Sequence, residues 1–243
     1  MKLEPLHHFQ VINYIEWAPF GIDMSISNSV LWMWLATAAA FFFFHFAFRN
    51  PSMVPGRMQL LGEIIFVFIR DLVQKNVAKD GLRYFPMLFT LFLFILFCNL
   101  IGLLPGSFTP TSQIIVTGCL AVSVFLFTCV LRIQIHGWGF FQAFAPAGLP
   151  VWLLPLMVPI EVISFLARPA SLALRLFANM TAGHTVLGVL TFLGLVAPWF
   201  LYWIPMGFTV VIMALEIFIA FIQAYIFTIL TCVYIDDAVA DHG

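Results

Sequence analysis

Two stretches of this chain are apolar almost without interruption, and both are far longer than a bilayer is thick. Residues 152–196 and 199–235, drawn as straight helices, would be roughly 65 Å and 55 Å long at about 1.5 Å per residue. The hydrocarbon core they must cross is about 30 Å thick. Two solutions are open. Each helix can tilt strongly, or the first can break near Arg168-Pro169, where a proline removes a helical N–H and crowds the preceding turn. Polar residues continue at near-helical spacing across Pro169, which favours the tilted solution.

Composition agrees with a chain that lives in lipid. Charged residues make up 9% of the sequence and hydrophobic ones 63%, against about 25% charged in an average soluble domain. The expected fold is therefore an all-α integral membrane domain with little room for a soluble one. A net charge of −1 gives no basis for the clustered Lys/Arg footprint of a nucleic-acid binder. Cys98, Cys119, Cys129 and Cys232 lie in apolar stretches without metal-ligand or disulfide spacing, so they read as buried free thiols, and no metal or cofactor is expected. The start MKLEPLHHFQ carries an acid, Glu4, and lacks a convincing cleavage site downstream, so it does not read as a secretory signal. His7 and His8 read as part of a wetted terminal segment over residues 1–28.

Shorter spans precede the two long stretches. Residues 29–48, 84–104 and 113–133 each have the length and apolarity of a membrane helix. The last two are joined by PGSFTPTS, a run of turn residues. Residues 52–80 differ, because Arg57, Glu63, Arg70, Asp71, Lys75 and Lys79 are interleaved with apolar residues at helical spacing. That pattern suits an amphipathic helix lying in the interface, or a peripheral helix packed on the spans. Residues 134–150, with Gly137, Gly139, Pro146, Gly148 and Pro150, read as a loop. Arg49, Arg57, Arg70, Lys75, Lys79, Arg83 and Arg132 then flank one side, and Lys2 the other. By the positive-inside tendency the loop and the C-terminus are cytoplasmic and the N-terminus lies outside. Trp32, Trp34, Tyr84, Trp152, Trp199, Tyr202, Trp203 and Tyr234 fall near the expected span ends, as an aromatic belt would.

The ionisable residues inside the long stretches carry the functional signal. Glu161, Arg168, Arg175 and His184 lie on the first and Glu216 on the second, with Asn179 and Gln223 adding amides. Arg175 cannot escape its charge by deprotonation, and a charge at membrane depth is costly. Seven helical residues turn through about 700°, within about 20° of two full turns. Glu161, Arg168 and Arg175 therefore share one stripe, joined a turn later by Asn179, and Glu216 shares another with Gln223. If the two stretches form an antiparallel hairpin turning near residues 197–200, His184 and Glu216 fall at similar depth on its outer side. A histidine exchanges protons near neutral pH, and a buried carboxyl can join it. Glu161 lies about 21 Å along the helix on the other side of Arg175. The layout is an outer polar pair, a permanent cation, and an inner polar group, which points to a proton or ion pathway. A secondary transporter and an intramembrane enzyme are the rival classes. The halves show no convincing internal repeat, and no HExxH pair or nucleophile–base motif is present.

Three segments resemble one family. PASLALRLFANMTAGHTVLGVL, ALEIFIAFIQAYIFTILTCVYI and NLIGLLPGSFTPTSQIIVTGCLA are similar to the hallmark helix, the last helix and the preceding hairpin of subunit a of F-type ATP synthases. The resemblance covers nearly the whole chain. It implies a non-catalytic, proton-translocating stator subunit in which Arg175 faces the carboxylate of each passing subunit of the rotor c-ring. It implies that Asn179, His184, Glu216 and Gln223 line the outer half-channel or the surroundings of the arginine, and that Glu161 lies at the inner half-channel. Arg168 and Ser171 complete the candidate pathway residues. Some members exchange the histidine and the acid, and this chain has the order with histidine first, as mitochondrial members do. Some members carry an acid near Asn99, where this chain has an amide that can organise water but cannot carry the proton. The implied partners are the c-ring, the peripheral-stalk subunit b, the remainder of the synthase and membrane lipid. The implied location is a bacterial inner membrane, with the mitochondrial inner membrane as the alternative. The family also favours two long tilted helices that wrap the ring.

Overall fold

The computed structural model describes residues 13–15, 26–49, 51–77, 81–104, 107–137, 154–196, 198 and 200–239. Six helices account for nearly all of them: α1 (Asn28–Ala47), α2 (Arg57–Asn76), α3 (Gly81–Gly102), α4 (Ile114–His136), α5 (Leu154–Val196) and α6 (Trp203–Val239). A short 3-10 turn, Pro110–Ser112, joins α3 to α4. Just before α1, β1 (Asn13–Ile15) pairs antiparallel with β2 (Ile26–Ser27), a small ribbon with no counterpart in the sequence reading. Five of the helices, all but α2, are long and apolar enough to cross a membrane. The protein is an all-α, multi-pass membrane domain with one amphipathic helix beside its spans.

The limits of the helices have local causes. α2 begins at Arg57 rather than near residue 52 because the Gln59 amide folds back on the chain before it. Its Nε2 donates to the Ser52 carbonyl and its Oε1 accepts from the Ser52 N–H, each at 3.2 Å, which satisfies an extended segment without a helix. α4 ends at Gly137, whose φ of +53° is costly for residues with a Cβ. α6 begins at Trp203, four residues beyond the sequence expectation. The Pro198 carbonyl first accepts N–H bonds from Leu201 (2.8 Å) and Tyr202 (3.1 Å), closing the turn between the long helices. Pro205 then sits in the first turn of α6, where a backbone N–H has no helical acceptor in any case. α5 runs unbroken from Leu154 to Val196 through Pro159 and Pro169. The alternative of a break at Arg168-Pro169 is thereby removed.

Packing centres on α3, which contacts α1, α2 and α6, while α5 packs against α4 and α6. Leu88, Phe92 and Ile95 of α3, Val73 of α2 and Phe227 and Ile235 of α6 are buried in one cluster. α2 is held to the bundle through this cluster and through Gly62, where a Cβ would stand 3.3 Å from that of Ala47. Its opposite side leaves Leu60, Leu61 and Ile64 exposed beside its charges. Large apolar side chains also cover the outside, among them Phe41 and Phe42 of α1 and Val210 and Val211 of α6. A soluble protein rarely exposes contiguous apolar patches of this kind, whereas hydrocarbon is their natural solvent. Cys98 and Cys232 are buried, but Cys119 is exposed on α4. His7, His8, Lys79, Trp152, Trp199 and most of the 134–150 loop lie outside the described residues.

Candidate functional site

The buried side of α5 near its middle is Leu172, Leu176 and Met180, a stripe at four-residue spacing. Ser171, Arg175, Ala178 and Asn179 lie on the exposed side. Arg175 is thus turned outward, and among the described residues its guanidinium has no hydrogen bond and no ion pair. One turn on, Asn179 Nδ2 donates to Gln223 Oε1 of α6 at 2.9 Å. Gln223 is 1% exposed, and its own Nε2 has no partner among the described residues. This amide pair ties the arginine-bearing face of α5 to α6.

The next group lies along the same two helices. Glu216 of α6 is 6% exposed, and neither carboxyl oxygen has a hydrogen-bond partner among the described residues. Its carboxyl lies against Gly183 of α5, where an added Cβ would strike Glu216 Oε1 and come within 2.9 Å of Cδ. His184 and Glu216 are therefore at the same level without being hydrogen-bonded to each other. The imidazole instead meets the α3–α4 connection, with Nε2 2.7 Å from Thr109 Oγ1. That hydroxyl donates to the Gly102 carbonyl at 3.2 Å. Beside it, Thr111 donates to Asn99 Oδ1 at 2.8 Å, and Asn99 Nδ2 points at the Ala220 carbonyl at 3.5 Å. Asn99 and Thr111 are fully buried. The part of this run at residues 107–112 is more than a turn, since its 3-10 turn packs against α5 and it supplies two hydroxyls to this group.

At the other end the arrangement changes character. Asp237 of α6 accepts from Arg168 Nη1 at 3.0 Å and from Arg132 Nη1 of α4 at 3.4 Å. The Arg168 guanidinium also lies over the rings of Phe165 and Tyr234, 5.8 and 5.7 Å from their centroids, within cation–π reach. The cavity among these side chains is about 20 Å³, room for about one water. Arg168 is thus engaged in a three-helix clamp. Ser171 Oγ donates to the Arg168 carbonyl at 3.0 Å, a bond within its own helix. Glu161 is half-buried two turns earlier and is not brought to another candidate residue.

Sequence reasoning missed Thr109, Gly102, Gly183, Arg132 and Asp237 as neighbours of the site. A glycine or threonine gives no signal until the fold shows what it touches. Asp237 was readable as a charge at a helix end, but its two arginines come from other helices.

The family described as ATP synthase A chain matches residues 30–236. The chain is 54% identical over 245 aligned positions to the ATP synthase subunit a of Magnetococcus marinus, covering 99% of this chain and 95% of that relative. With a match across nearly its whole length, and with the long α5–α6 hairpin carrying its ionisable residues, this chain belongs to the ATP synthase A chain family.

Proposed function

We propose that the chain is the stator subunit of a rotary ATP synthase, forming two offset proton half-channels that load and unload the carboxylates of a c-ring. The observation that carries this reading is the outward-facing Arg175, without an ion pair among the described residues, on a helix 43 residues long. A permanent charge of this kind calls for a carboxylate supplied by a partner. Ser171, Ala178 and Ala182 share its exposed stripe, and small side chains let another membrane helix approach closely.

In this reading a proton enters from the outside through the group around His184, Glu216 and Asn99. It passes the Asn179–Gln223 pair and neutralises a ring carboxylate. The neutral carboxyl can turn into lipid, because its charge penalty is gone. After nearly a full rotation it meets the inner half-channel near Glu161 and releases the proton. Arg175 favours that release by stabilising the carboxylate that faces it. It also blocks a direct leak, since it repels protons and cannot relay them. The membrane potential adds about 2.3 kcal/mol per charge per 100 mV. The subunit itself catalyses no covalent chemistry; its partners are the c-ring, subunit b and the rest of the synthase. Its N-terminus faces outward and its C-terminus the cytoplasm of a bacterial inner membrane.

The test is purification of the chain in mild detergent from its native membrane. Recovery with a c-ring and a catalytic ATPase head is expected. Recovery as a self-sufficient substrate binder would contradict the proposal in favour of a transporter.

A further inference from the structure

The turn between α1 and α2 holds two apolar side chains outside the fold. Met53 and Val54 are the most exposed large hydrophobic side chains among the described residues, at 104% and 84%. They stand on a well-bonded support. Gln59, itself buried, accepts the Ser52 N–H at Oε1 and donates from Nε2 to the Ser52 carbonyl, each at 3.2 Å. The same Nε2 donates to Glu63 Oε1 at 2.7 Å. The Ser52 hydroxyl donates to the Val54 carbonyl at 2.6 Å. A buried amide with all its partners thus fixes a loop whose tip stays outside.

The level of this tip follows from α1. Its 20 residues rise about 30 Å, the thickness of the hydrocarbon core, so Ala47 at its end marks the edge of that core. A Cβ on Gly62 of α2 would stand 3.3 Å from that of Ala47 and 3.2 Å from the Phe48 ring. Gln59 lies about one turn before Gly62, so the clasped turn is held at the same edge. Leu60, Leu61 and Ile64 continue the exposed apolar surface along α2, on one stripe with Arg57. Charge at that edge has one sign. From Arg49 to Gly62 the only charged residues are Arg49 and Arg57. Both are exposed, with no ion pair among the described residues. The next acid along the chain, Glu63, is half-buried and bonded to Gln59. We infer that the clasped turn is a lipid-binding anchor: Met53 and Val54 enter the acyl edge of the bilayer, and Arg49 and Arg57 bind the headgroups of anionic phospholipids. Such a surface complements the turn, because its acyl chains take the apolar tip and its phosphates take the guanidinium groups. The inference stands apart from the half-channel reading.

The experiment places the assembled complex in vesicles of phosphatidylcholine and phosphatidylglycerol. Met53→Cys carries a fluorophore, with the labelling of the unsubstituted complex subtracted. Lipids brominated on their acyl chains should quench it. A probe quenched only by aqueous iodide overturns the inference, as does one that cross-links to another subunit and escapes the brominated lipids. Gln59→Ala opens the clasp and should remove most of the lipid quenching; unchanged quenching overturns the role given to the clasp. The same probe reads headgroup preference at this one place. Brominated phosphatidylglycerol should quench it more strongly than brominated phosphatidylcholine. Arg49→Gln and Arg57→Gln should each lower that preference about fivefold, the weight of one basic residue at an anionic surface. Arg49→Lys and Arg57→Lys should keep most of it, which separates loss of charge from loss of shape. Equal quenching by the two lipids with both arginines in place overturns the assignment of anionic headgroups.

Discussion

At the scale of single residues, contact decides what each polar group can do. Glu216 rests against Gly183 with both oxygens buried and without hydrogen-bond partners among the described residues. A bare carboxylate in such a place is costly, so the site suits a carboxyl that holds a proton for part of each cycle. Gly183→Ala forces a methyl into that carboxyl and should lower passive proton conduction through the membrane sector about tenfold or more, while assembly persists. Exchanging His184 and Glu216 should preserve more conduction than removing either one, because the two stand at one level. Losses that simply add in the double variant would argue against a coupled pair. Arg175, His184, Glu216, Asn179 and Gln223 were legible in the sequence because polar residues are rare in these stretches. Thr109 and Gly183 were not, because their meaning lies in which atoms the fold brings to them.

At the scale of elements, Asp237 is the fastening between α4, α5 and α6. It receives Arg132, which is 8% exposed, and the half-buried Arg168. Replacing Asp237 by Asn leaves two guanidinium groups without a carboxylate. The expected loss is about 1–2 kcal/mol, discounted for the partly wetted geometry, read as a lower unfolding midpoint of the purified complex. The proline-bearing stretch illustrates what sequence can and cannot decide. Pro169 by itself allowed a break into two short spans, and only the unbroken helix from Leu154 to Val196 shows one helix carried across. α2 was legible as amphipathic from its charge spacing, but its attachment through Val73 and Gly62 was not.

At the scale of the whole molecule, α5 with 43 residues and α6 with 37 are roughly 65 Å and 55 Å long. Even the full bilayer with its headgroups is only about 40–45 Å thick. A 65 Å helix tilted by about 40°, the upper end of ordinary tilts, would still rise about 50 Å. α5 must therefore lie flatter than ordinary spans, whereas α6 at the same tilt rises about 42 Å and just fits. Depth measurements with spin labels at Leu156 and Val196 should place both ends within the bilayer, whereas an end standing well out in water would show an ordinary tilt. The number of spans and the long hairpin were legible from apolar run lengths. The order of packing, with α3 between the outer helices and α6, was not, because apolar helices look alike on every face in lipid. What the hairpin presents to its surroundings is an outward cation without an ion pair among the described residues, and the account stands on that charge. The most direct test is proton-driven ATP synthesis by reconstituted complexes carrying Arg175→Lys. The account predicts that synthesis is abolished while the complex still assembles, because lysine can deprotonate and lacks the planar fork. Synthesis near the wild-type rate would contradict it.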